Sequence, residues 1–149
     1  MFETTQADPP LATARDLAAY HTRRERFYAR AAQLAGGAAA HIDVRCADDR
    51  APSRLAALEQ AALPVSADAL SELRALAILA DRTAAAIECG DIAEAASLCD
   101  AQARFLREHA GGCIRDLATR LVASELPIHA ELGRALILQI DADLRLLAL

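Results

Sequence analysis

Residues 81–121, DRTAAAIECGDIAEAASLCDAQARFLREHAGGCIRDLATRL, decide how the chain folds. Gly90 has no Cβ and suits the left-handed position that closes a helix, and Asp91 beside it suits the cap of the next. Glu94 follows three residues later, as in a capping box. Ile92, Ala95, Cys99, Ala103, Leu106 and Ala110 then recur along one stripe of a helix. Leu98, Gln102, Phe105 and His109 lie on its flank, about a quarter-turn round at roughly 100° per residue. Asp100, Arg104, Arg107 and Glu108 face away. The tight Gly-Asp connection predicts an antiparallel hairpin of two helices. Gly111-Gly112 is expected to end the second of them.

Working upstream, Ser66 is a good N-cap and Asp68 favours the positive end of a helix dipole. Leu70, Leu73, Ala77, Ala80, Ala84 and Ile87 form a stripe between there and Gly90. The run Ala75 to Ala80 contains no polar residue, which predicts a helix covered on several sides. Before it, Pro52-Ser53 opens a short helix carrying Leu55, Leu58 and Leu63, closed by Pro64. Residues 38–52 read as an irregular connection. The opening helix starts near Asp8-Pro9-Pro10 and stops at Gly36-Gly37, with Leu17, Tyr20, Phe27, Ala31 and Leu34 on its core face. Arg24 falls in that same arc, and the expectation is that it snorkels outward past Tyr20 and Tyr28. Residues 1–8 are polar and expected to fray.

Downstream, Ile114, Leu117, Leu121 and Val122 mark a helix that stops before Pro127. From Ile128 the chain is helical to its end, and Gln139 is the only polar residue between Ala135 and Ile140. The pattern is all-α: a single domain over residues 1–149, about six helices around one core.

Ala and Leu dominate a composition that is 54% apolar but only 3% aromatic. Such a core packs helices closely with few large anchors. All 16 basic residues are Arg, against 21 acids, for a net charge of −5. An acidic chain without Lys is a poor partner for nucleic acid or an anionic membrane and a better one for a basic peptide. The N-terminus lacks the basic start and apolar run of a secretory signal, and no apolar run is long enough to span a membrane. Cys46, Cys89, Cys99 and Cys113 form no C-x-x-C pair. A cytoplasmic protein with free thiols is expected, Cys89 and Cys99 acting as small buried hydrophobes.

The residues announce no catalysis. The chain has no G-x-S-x-G, Gly-rich phosphate loop or P-loop, and no Glu-x-x-His pair. His109 and Cys113 are four apart, but Gly111 and Gly112 stand between them, so no metal or other cofactor is expected. The acids Asp141, Asp143, Glu88 and Asp91 are expected to be solvated helix-end charges.

The segment Asp100-Ala101-Gln102-Ala103-Arg104-Phe105-Leu106-Arg107-Glu108-His109 resembles one in the TorD/DmsD (NarJ-like) family of molybdoenzyme maturation chaperones, where a Gln precedes Phe-Leu, two residues and His. Leu126-Pro127 and the run Gln139 to Leu147 are similar to the family's last helix, and Arg26 to Leu34 to its opening helix. The departures are specific. Residues 38–52 stand where the family has a longer, aromatic-rich middle. Its Asp-His pair is here Asp68-Ala69, its Pro-Trp is Gly112-Cys113, and its aromatic pair near the last helix is Ile128-His129.

The resemblance implies a non-enzymatic, all-helical chaperone. Its partners would be the apo-form of a molybdoenzyme catalytic subunit and that subunit's twin-arginine signal peptide. The implied peptide-binding residues are Asp68, Glu72, Gln102, Phe105 and His109. A second reading is an assembly subunit that keeps the fold, has lost the groove and covers its apolar faces as a homodimer.

Overall fold

The computed structural model describes residues 14–38, 69–107 and 111–147. Among them are five helices and no strand: α1 (Ala14–Ala38), α2 (Ala69–Glu88), α3 (Ile92–Phe105), α4 (Gly111–Val122) and α5 (Pro127–Leu147). The short helix expected after Pro52, the cap at Ser66 and the connection 39–52 lie outside the described residues, as do Asp68 and His109.

The α2–α3 turn forms as its residues dictate. Gly90 takes φ 77°. Its N–H donates to the Ile87 carbonyl, and the Asp91 N–H donates to Ala86 at 2.9 Å. These two bonds are the Schellman pattern, which satisfies carbonyls the helix end would otherwise strand. Asp91 Oδ1 then accepts from the Glu94 N–H at 3.1 Å and starts α3. At the other hairpin, Pro127 occupies the first position of α5, where its missing N–H costs nothing.

Two glycine stops read differently in the fold. α1 runs through Gly36-Gly37 to Ala38. Glycine costs a helix only about 1 kcal/mol relative to Ala, and the buried Ala31, Ala32 and Ala35 one turn earlier hold that end in the core. Gly111 opens α4. The chain between, after a π-type turn at Leu106-Arg107, lies outside the described residues.

Packing is led by α1 on α2 and by α4 on α5, with α3 against α2 and α5. Leu73, Leu76, Leu79, Phe105, Leu106, Leu117, Leu121, Leu132, Leu136 and Ile140 are buried together. The apolar runs are covered on most sides, but Ile78 and Leu138 remain exposed, as does Ile92 at the head of α3. Gly133 lets α5 approach α4 closely: a Cβ there would sit 2.5 Å from the Ala118 carbonyl oxygen and 2.8 Å from the Val122 backbone nitrogen. Both are backbone atoms that cannot swing aside, so the α4–α5 distance depends on this glycine. Half-exposed Arg115 and Asp141 pair across the same two helices, so Asp141 is an ion-pair partner and not a purely solvated charge.

Candidate functional site

A group of polar side chains meets in the interior, between the helices. Arg24 of α1 and Asp143 of α5 have no exposed surface, and Arg24 Nε lies 3.0 Å from Asp143 Oδ2. Arg24 therefore does not snorkel, and Asp143 is not a solvated helix-end charge. The reason is composition around the pair. Asp143 Oδ1 accepts from the Tyr20 hydroxyl at 2.9 Å and from Gln139 Nε2 at 2.8 Å, and Oδ2 accepts from the Tyr28 hydroxyl. Three hydrogen-bond donors and the Arg24 charge replace the water that a buried carboxylate loses.

Arg24 is held from the other side. Nη1 donates to Gln102 Oε1 at 2.8 Å, and the guanidinium lies 5.7 Å from the Tyr28 ring centre. Gln102 Nε2 donates onward to Thr83 Oγ1 at 2.9 Å and to the Leu98 carbonyl, and Thr83 donates to the Leu79 carbonyl. One chain of contacts thus joins α1, α2, α3 and α5. Burial opposes the Arg24 charge, but the Asp143 carboxylate together with Tyr28 and Tyr20 more than offsets this and holds its pKa above the ordinary value. Burial, reinforced by Asp143, pushes the Tyr28 hydroxyl well up.

His21 completes the cluster. Its Nδ1 lies 3.0 Å from Arg24 Nη1, and because Arg can only donate, Nδ1 must accept. The ring is then neutral with its proton on Nε2, which faces Cys99 Sγ at 3.9 Å. Burial, with the Arg24 charge adding to it, lowers the His21 pKa to about 3. Burial also raises the Cys99 thiol, partly countered by Arg24, so this half-buried cysteine is a poor nucleophile. Cys89 is exposed.

A pH dependence follows. His21 titrates near 6.5 when unfolded and near 3 when folded, so its stabilising contribution is complete above pH 6.5 and is lost as pH falls toward 3. Between pH 7.5 and pH 5 this amounts to about 2 kcal/mol. Urea unfolding at the two pH values should show that loss, and His21→Gln should lose correspondingly less.

The residues expected to bind a peptide are placed as follows. Gln102 and Phe105 are 0% exposed and Glu72 is 2% exposed. They belong to the interior of the fold and offer a peptide no surface. Leu98, Gln102 and Phe105 of the α3 flank therefore pack as core, together with Ala95, Ala103 and Leu106 of the stripe beside it.

Open concave surface lies instead along the seam where α1 runs antiparallel to α2. One groove, of about 530 Å³, is lined by Glu25, Ala29, Ala32, Gln33, Arg74, Ala77, Ile78 and Asp81. A second, of about 700 Å³, is lined by Arg15, Ala18, Ala19, Thr22, Arg23, Arg26, Ile87 and Glu88. The seam was not evident in the sequence because its floor is Ala, which reads as generic helix. Among the described residues no group of three or more His, Cys, Asp or Glu is placed to hold a metal, and no helix is long and apolar enough to cross a membrane. No family model, curated protein or solved structure matches the chain.

Proposed function

We propose that this protein is a non-catalytic cytoplasmic chaperone that holds the apo-form of a molybdenum-cofactor oxidoreductase through its twin-arginine signal peptide. The observation that carries the reading is the groove between Glu25 and Asp81. Two carboxylates stand over a floor of Ala29, Ala32, Ala77 and the exposed Ile78. A leader of that class presents an arginine pair followed by an apolar run, which matches carboxylates beside an apolar trough. Arg74 lines the same groove as its one basic residue. The resemblance of Asp100–His109 to the chaperone family supports the reading through the fold: its Gln and Phe are here the residues that lock α3 into the bundle.

Titration against the twin-arginine leader of a molybdoenzyme encoded beside this chain tests it. A dissociation constant in the micromolar range is expected, weakened at least tenfold by Glu25→Lys with Asp81→Lys. No detectable binding at tens of micromolar would exclude the signal-peptide role. A second reading, an assembly subunit that pairs with its own copy, is favoured by Leu126, Ile128 and Val122, all exposed around the α4–α5 turn. A concentration-independent dimer in light scattering, without leader binding, would support it.

A further inference from the structure

We propose that the groove formed by Arg15, Arg23 and Arg26 of α1 with Ile87 and Glu88 of α2 binds an acidic, apolar-faced segment of a partner polypeptide, a helix of about three turns. The inference deepens the chaperone reading and rests on it, since it assigns the client's own acidic segment, not its basic leader, to this end of the seam.

Charge carries the argument. The whole chain is net −5, yet this groove gathers three guanidinium groups against one carboxylate. All three arginines are exposed. None of them has an ion-pair partner among the described residues, and Arg23 is steadied only by lying 5.9 Å from the Tyr20 ring centre. Arg15 and Arg26 are eleven residues apart, so they stand nearly in line, about 16 Å apart along α1. A partner helix of three turns carries carboxylates at the same spacing.

The floor selects polypeptide over other anions. Ala18 and Ile87 are buried, Ala19 is open to solvent, and the Thr22 hydroxyl is spent on the Ala18 carbonyl at 3.0 Å. The trough between the charges is therefore apolar, which suits Leu or Ala side chains. It gives a nucleic-acid backbone nothing to stack on, for no aromatic ring lines it. A twin-arginine peptide is repelled here, which separates the two grooves by charge.

The test uses the full chain and a fluorescein-labelled helical peptide of alternating Glu and Leu faces, with its Lys-for-Glu counterpart. The acidic peptide should bind with a dissociation constant of tens of micromolar or tighter and weaken as salt is raised. The basic counterpart should bind at least tenfold more weakly. Arg23→Glu with Arg26→Glu should weaken the acidic peptide at least tenfold, Arg23→Gln with Arg26→Gln by less, and Arg134→Glu on α5 should change nothing. Equal binding of both peptides, or no effect of the arginine variants in protein whose circular dichroism is unchanged, would overturn the proposal. So would tighter binding of a single-stranded oligonucleotide at the same arginines. Measuring the leader in the same series separates the two claims. Leader binding without acidic-peptide binding removes this inference alone. Acidic-peptide binding without leader binding leaves the groove and removes the signal-peptide role.

Discussion

Asp143→Ala is expected to destabilise the protein by about 3–5 kcal/mol, because it strands a fully buried guanidinium. Arg24 keeps only Gln102 and the His21 ring as polar neighbours, while the hydroxyls of Tyr20 and Tyr28 and the Gln139 amide lose their acceptor. The loss is large against the roughly 5–15 kcal/mol that holds a domain of this kind together. Arg24→Ala should cost a similar amount through the unpaired carboxylate. The double variant should cost less than the sum of the two, since neither charge is then left alone. Urea unfolding followed by circular dichroism reads all three. Additive effects would mean that the two groups do not act as a pair.

Phe105→Ala is expected to cost about 3–5 kcal/mol through the cavity it leaves. Phe105 has no exposed surface and sits in one cluster with Leu98, Leu106 and Leu76. For a chain of 149 residues such a loss lowers the melting temperature by roughly 10 °C. The affinity for a leader peptide, measured where the variant is still folded, should stay within twofold. A variant that keeps its melting temperature but loses binding would return Phe105 to the peptide surface. The two outcomes are therefore opposite for a core residue and for a binding residue.

Helix punctuation was the most legible part of the sequence. Gly90-Asp91-x-x-Glu94 states a turn and a cap through local chemistry alone, and the structure forms both. Gly36-Gly37 does not stop α1, because a glycine's cost is small beside tertiary burial, whereas a helix boundary does fall at Gly111-Gly112, the pair opening α4. The polar network was half-visible. Arg24, Gln102, Gln139 and Asp143 each interrupt an apolar stripe on a different helix or turn. A sequence shows each interruption singly and cannot show that four of them meet. That ambiguity made Arg24 and Asp143 look like surface charges. Gln102 and Phe105 raised the opposite difficulty, since a flank a quarter-turn from the main stripe can be core or groove. The choice depends on whether another helix covers it. The α1–α2 seam was invisible for a plainer reason: Ala reads the same on a groove floor as anywhere else.

Under the proposed function, client binding falls on the α1–α2 seam, while Gln102 and Phe105 of the family-like segment stay buried in the fold. Amide chemical-shift mapping of the ¹⁵N-labelled chain with a twin-arginine leader peptide tests that division directly. Shifts should cluster at residues 25–33 and 74–81, with Gln102 and Phe105 unmoved. Shifts concentrated at residues 98–107, or none at saturating peptide, would contradict it.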